Sequence, residues 1–153
     1  LADGAVLRHS GLVWTAGSTP SIPSISPTPV LERGRLAVDD DLRLVDNTNT
    51  FALGDLSTRP GSPWPASAQV AMQQGEATAA AIANLRMNDQ PQPFQFEDRG
   101  EMLSLGVGDA TLTGMGLTLA GPLAFQLRRA TYLTRLPGLS LGLRSAGAWL
   151  LNR

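Results

Sequence analysis

Cysteine is absent from the 153 residues, and histidine occurs once, as His9. No disulfide, thiol redox pair or cysteine-held metal can therefore form within the chain, and a reducing compartment is weakly favoured. A single histidine also argues against a His-rich metal centre or a Ser-His-Asp triad. Lysine is missing as well, since all 12 basic residues are arginine. Acidic residues stop at Asp109, after which Arg128, Arg129, Arg135, Arg144 and Arg153 carry the charge. That cationic, leucine-rich end suits either an anionic membrane surface or a pair of core helices with a solvated arginine face. The formal net charge is −1, and no nucleic-acid partner is expected. A basic and apolar leader is not visible either. The opening LADG reads as a strand edge and an Asp3–Gly4 turn in mid-course, so a fragment of a longer chain is expected.

Length and composition are those of one globular domain with its own core. GLVWT, residues 11–15, predicts a short strand. Residues 18–29 hold Pro20, Pro23, Pro27 and Pro29 among Ser and Thr, and predict a loop. RLAV (35–38) and LRLV (42–45) predict two strands around the Asp39-Asp40-Asp41 turn. The acidic triplet suits a solvated hairpin tip or a bound cation. TFAL, residues 50–53, predicts a strand covered on both faces. A helix is expected over 65–86, with Pro65, Ala66, Ser67 and Ala68 in its first turn and Val70, Ala77, Ala81 and Leu85 on one face. Phe94, Phe96, Met102, Leu103 and Leu105 predict strands around an Asp98–Gly100 turn, and 106–116 reads as a Gly- and Thr-rich stretch. Helices are expected from Pro122, with Leu123, Leu127, Ala130, Leu133 and Leu136 in a stripe, and from Leu139, with Leu143, Ala146 and Leu150 in line and Trp149 beside it. Residues 110–127 are uncharged and long enough to be weighed as a membrane span, but Gly, Thr and Pro weaken that reading.

Two features bear on chemistry. Asp55 follows an apolar run and Gly54. Such a carboxylate serves as a cap or turn residue, or accepts hydrogen bonds from ligand hydroxyls at a strand end. Gly54 would let a ligand approach the backbone. Downstream, PASAQVAMQQG opens a helix whose positive end suits an electron-rich ring. Gln69 and Gln73, four apart, share a face and offer amides to a carbonyl oxygen, or simply face water and neighbouring loops.

GLVWTAG, GRLAVDDDLRLVDNTNTFALGD, AQVAMQQG and DRGEMLSLGVGDA…GPLAFQLRRATYLTRLPG, in that order, resemble the type II, single-subunit NADH:quinone oxidoreductases of the FAD-dependent pyridine nucleotide-disulfide oxidoreductase superfamily. The GD run is shared widely in that superfamily; the AQ-x-A-x-QQ pattern with the GPLA…YLTRLPG tail is more specific. The resemblance implies an α/β fold: a partial Rossmann-type FAD-binding domain followed by an α-helical amphipathic C-terminal region. It implies that 1–17 are the last strands of an NADH-binding domain, 18–105 the C-terminal half of the FAD-binding domain, and 106–153 a membrane-associating region. FAD would be held by Gly54, Asp55, Ala68 and Gln69, and quinone by Gln69, Gln73 and Gln74. Leu123, Leu127, Arg128, Arg129, Leu139, Leu143 and Trp149 would face the membrane, with no metal. NADH and quinone would be the substrates of the complete enzyme, at the cytoplasmic face of a membrane, with a homodimer allowed. The family's G-x-G-x-x-G fingerprint and nicotinamide-binding βαβ unit are absent from these 153 residues, so the chain alone is expected to be inactive. The alternatives are a non-catalytic peripheral membrane module and a fragment of another flavoprotein reductase of the superfamily.

Overall fold

A computed structural model describes residues 4, 6 and 8–151. The expected opening strand edge and Asp3–Gly4 turn involve residues 1–3, outside the described residues. The chain forms two compact units, Leu1–Phe96 and Glu97–Arg153. Both helices and sheets are present, as the α/β expectation requires.

In the first unit a tight hairpin joins β1 (Leu31–Glu32) to β2 (Arg35–Ala37) through Arg33 and Gly34, both at positive φ. That backbone twist matches the twist of the strands it connects. β2 pairs in parallel with β5 (Ser57–Thr58), Leu36 opposite Ser57 and Ala37 opposite Thr58. In the sequence between them, β3 (Arg43–Leu44) and β4 (Asn47–Phe51) form a separate antiparallel pair with a bulge. The acidic turn is built as a hairpin tip. The Asp39 carboxylate accepts from the N–H groups of Asp41 and Arg43, each at 2.9 Å. Leu36, Val38, Leu42, Leu44, Ala52 and Phe94 form the buried core, with Trp64 edge-on to Phe94 at 5.3 Å between centroids. Phe94 reaches this core from an irregular segment whose N–H donates to the Asp40 carbonyl at 2.8 Å.

Helix α1 (Ala68–Arg86) starts later than the sequence suggests. Ser67 is its N-cap, accepting from the Val70 N–H at 3.2 Å, so Pro65 and Ala66 precede the helix. A capping hydroxyl satisfies an orphan donor, which a proline ring cannot do, and the cap decides the start. The inward face is Val70, Gln74, Thr78 and Ala81. Ala77 is half-buried and Leu85 exposed, so the expected apolar stripe is shifted by two polar residues.

Other expected strands differ. Residues 11–15 form none, and Leu12, Val13 and Trp14 are exposed. A strand needs a neighbour to satisfy its N–H and C=O groups, and none is hydrogen-bonded to this segment among the described residues. The run 50–53 is not a strand covered on both faces: β4 ends at Phe51, its first three residues are exposed, and Ala52 instead donates to the Leu42 carbonyl at 3.0 Å. Phe94 and Phe96 lie outside any strand.

The second unit opens with an antiparallel meander, β6 (Glu101–Gly106), β7 (Asp109–Gly114) and β8 (Leu117–Ala120). The Gly- and Thr-rich stretch 106–116 thus lies in sheet. Thr111, Thr113 and Thr118 favour strand, and Met115–Gly116, both at positive φ, close the β7–β8 hairpin. α2 (Pro122–Leu133) carries proline in its first turn and packs on β7 and β8, with Ala124 fully buried. α3 (Leu139–Leu151) follows Pro137–Gly138. Among the described residues no helix is long and apolar enough to cross a membrane.

Candidate functional site

The turn after β4 is a short 3₁₀ segment, Gly54–Leu56, leading directly into β5. Gly54 sits at φ +66°, and a Cβ added there would lie 3.3 Å from the Ala71 Cβ of α1. Glycine is therefore required by backbone conformation and by the closeness of the helix's first turn. The glycine expected to admit a ligand admits α1.

The turn's backbone is held from several sides. Gly54 N–H donates to Gln74 Oε1 at 2.6 Å, and Ser57 Oγ donates to the Gly54 carbonyl at 3.2 Å. The Arg35 guanidinium donates to the Asp55 carbonyl. The Asp55 side chain, by contrast, is exposed and makes no hydrogen bond or ion pair among the described residues. A fixed backbone carrying an uncommitted carboxylate is an acceptor ready for hydroxyl donors.

The loop leading to α1 is ordered by Arg59. Its Nη1 pairs with Asp40 Oδ1 at 3.0 Å, its Nε and Nη2 donate to the Ser62 carbonyl and hydroxyl, and its guanidinium lies 4.7 Å from the Trp64 ring centroid. Asp39 and Asp40 are thus engaged in turn and loop, and the described residues hold no cluster of three acidic or His groups placed for a metal ion.

At the start of α1, Ala68 is exposed and Gln69 half-buried. Gln73 is half-buried too, and its Nε2 donates to Gln69 Oε1 at 3.5 Å. Gln74 is 1% exposed. The three glutamines expected to meet quinone therefore divide: two share one face, and the third points inward to Gly54. Sequence reasoning missed that inward bond and the part of Arg35. Gln74 lies four residues after buried Val70, a spacing that placed it on the inner face.

In the second unit, Leu123, Leu127, Leu139 and Leu143 are exposed. Arg128 lies over Tyr132 at 4.6 Å. Arg129 and Trp149, placed by sequence on the same outer surface, are half-buried and meet between α2 and α3, the guanidinium 4.2 Å from the indole centroid. They line a cavity of about 330 Å³ with Gln126, Leu133 and Leu150.

No protein-family model matches the chain. Among curated proteins, it is 36% identical over 146 residues to the alternative NAD(P)H-ubiquinone oxidoreductase C1, chloroplastic/mitochondrial, of Arabidopsis thaliana, covering 88% of this chain and 28% of that protein. It is 37% identical over 156 residues to the demethylphylloquinone reductase NdbB of Synechocystis, covering 92% and 38% respectively. A type II NADH:quinone oxidoreductase of Staphylococcus epidermidis is 36% identical over 121 residues, covering 76% and 30%. The chain spans about a third of the length of the curated relatives it matches.

Proposed function

Because this chain belongs, over that third of a member's length, to the type II NADH:quinone oxidoreductases, we propose that it is the C-terminal part of an enzyme carrying electrons from NADH through FAD to a membrane quinone. The observation that carries this reading is the exposed, uncommitted Asp55 carboxylate on a clamped Gly54–Asp55 turn against the first turn of α1.

The residues present fit a flavin. Asp55 would hold the polyol chain by accepting its hydroxyls, and the positive end of α1, at Ala68 and Gln69, would favour an electron-rich ring. When bound, the flavin supplies the two-electron chemistry between nicotinamide and quinone. The chain's own residues orient: Gln69 and Gln73 offer amide donors to the quinone carbonyl, and the backbone of 54–56 holds Asp55 in place. In this reading 1–17 close the NADH-binding domain, 18–105 complete a Rossmann-type FAD domain, and 106–153 associate with the membrane. Leu123, Leu127, Leu139 and Leu143 enter the interface, and Arg128 lies near anionic headgroups, on the cytoplasmic face and in a protein able to form a homodimer, while Arg129 stays packed on Trp149. The catalytic cycle needs the nicotinamide site, so these 153 residues alone are inactive.

The test is NADH-driven quinone reduction with flavin quantified by absorbance. The full-length protein is expected to be yellow and active and the isolated chain inactive. Activity of the chain by itself, or flavin content unchanged by Asp55→Ala, would contradict the reading. The leucine row of α2 and α3 favours one other reading, a membrane module without chemistry of its own. Vesicle cosedimentation unaffected by Asp55→Ala, in protein that never carries flavin, would favour it.

A further inference from the structure

Gln73 and Gln74 are adjacent on α1, and neighbours on a helix point about 100° apart. One of the pair reaches Gln69; the other is 1% exposed and accepts the Gly54 N–H at 2.6 Å. A buried amide is expensive unless it is hydrogen-bonded, and a leucine or methionine would fill the inner face of α1 without that penalty. What only a long polar side chain at this position does is take up the Gly54 N–H. No strand ladder serves that N–H, because β4 ends at Phe51 and the backbone at Gly54 has turned to φ +66°. The turn's other tethers, from Arg35 and Ser57, hold carbonyl oxygens.

We propose that Gln74 is a positioning residue of the flavin site: it seats the Gly54–Asp55 turn on α1 and so places the Asp55 carboxylate. The proposal rests on the flavin reading above for its consequence, though not for the contact itself. The Asp55 carboxylate has no partner among the described residues, so the region it can reach is set by the backbone that carries it. Gln74 holds that backbone at its N–H, across a gap close enough that a Cβ on Gly54 would stand 3.3 Å from Ala71 Cβ. Losing the bond loosens the Leu53–Gly54 peptide at the entry to the turn, where the Ser57 and Arg35 tethers do not act, and lets the carboxylate shift from its place. Flavin affinity then falls, although Gln74 touches no flavin.

The experiment uses the full-length protein carrying this chain. Gln74→Met keeps volume and removes the acceptor; Ala81→Gly, on the same buried face but far from the turn, provides a control of reduced stability. Two readouts are taken: hydrogen exchange at the Gly54 amide, and FAD affinity in a cycle of Gln74→Met with Asp55→Asn. Exchange at Gly54 is expected to rise about tenfold or more in Gln74→Met relative to Ala81→Gly, in line with loss of one buried hydrogen bond. Asp55→Asn is expected to weaken FAD binding about tenfold in the wild-type background and much less in Gln74→Met, the signature of coupled residues. Equal Gly54 exchange in both variants overturns the proposal, as does an Asp55→Asn effect of the same size in both backgrounds. If the wild-type protein takes up no FAD, the flavin reading has failed, and the exchange measurement alone decides whether Gln74 braces the turn.

Discussion

Gly54 and Asp55 are adjacent and answer to different demands. Gly54 is fixed by conformation and space, at φ +66° with α1 3.3 Å from where a Cβ would stand. Gly54→Ala is expected to lower stability by about 1–2 kcal/mol, read as a shift in denaturant midpoint, because an L-residue there is strained and must push α1 away. Asp55 carries no structural load on its side chain. Asp55→Asn is expected to change stability by no more than about 0.5 kcal/mol while weakening flavin binding, which a melt and a flavin titration read separately. Equal loss in both would mean that the carboxylate holds the fold. This pair was legible in the sequence because a Gly-Asp turn after an apolar run is local chemistry. The brace was not, since Gln74 meets Gly54 across 20 residues and the polar letter hides its place on the inner face.

Elements with strong local signals were readable, and those defined by a partner were not. α2 was placed by Pro122 and α1 by its alanines, yet α1 begins only where Ser67 caps it. Ser67→Ala is expected to lower stability by about 1 kcal/mol and to fray the turn that faces Gly54, seen as faster exchange at the start of α1. The first strand of the meander was legible from Met102, Leu103 and Leu105, whereas the Gly- and Thr-rich stretch after it gave no strand, although several of its glycines sit at the hairpin turns between β6, β7 and β8. Gly100 is the most constrained: at φ +90° an added Cβ would run into the Thr113 carbonyl oxygen and lie 2.9 Å from Gly114 Cα. Gly100→Ala is expected to cost about 2 kcal/mol or more and to destabilise the second unit, with the melting curve as the measure. Residues 11–15 show the reverse error: their pattern is that of a strand, and pattern does not supply a neighbour.

At the scale of the molecule, charge and greasiness are partitioned along the chain. Every acidic residue lies at or before Asp109, whereas the charged residues that share α2 and α3 with the exposed leucines are all arginine. Binding to vesicles containing anionic lipid is expected to weaken with salt, and Arg128→Gln to cost about 1 kcal/mol of it; salt-independent binding would point to apolar insertion without electrostatics. The first unit carries the chemistry proposed here, and its claim is simple: a clamped turn and a capped helix start form half of a flavin site. The most direct measurement is the visible absorbance of the full-length protein, purified as wild type and as Asp55→Ala and titrated with FAD. The account predicts a bound flavin spectrum in the wild type and a loss of affinity in the variant with no change in melting temperature. A wild-type protein that stays colourless at saturating FAD, or a variant that binds it equally well, would contradict the account.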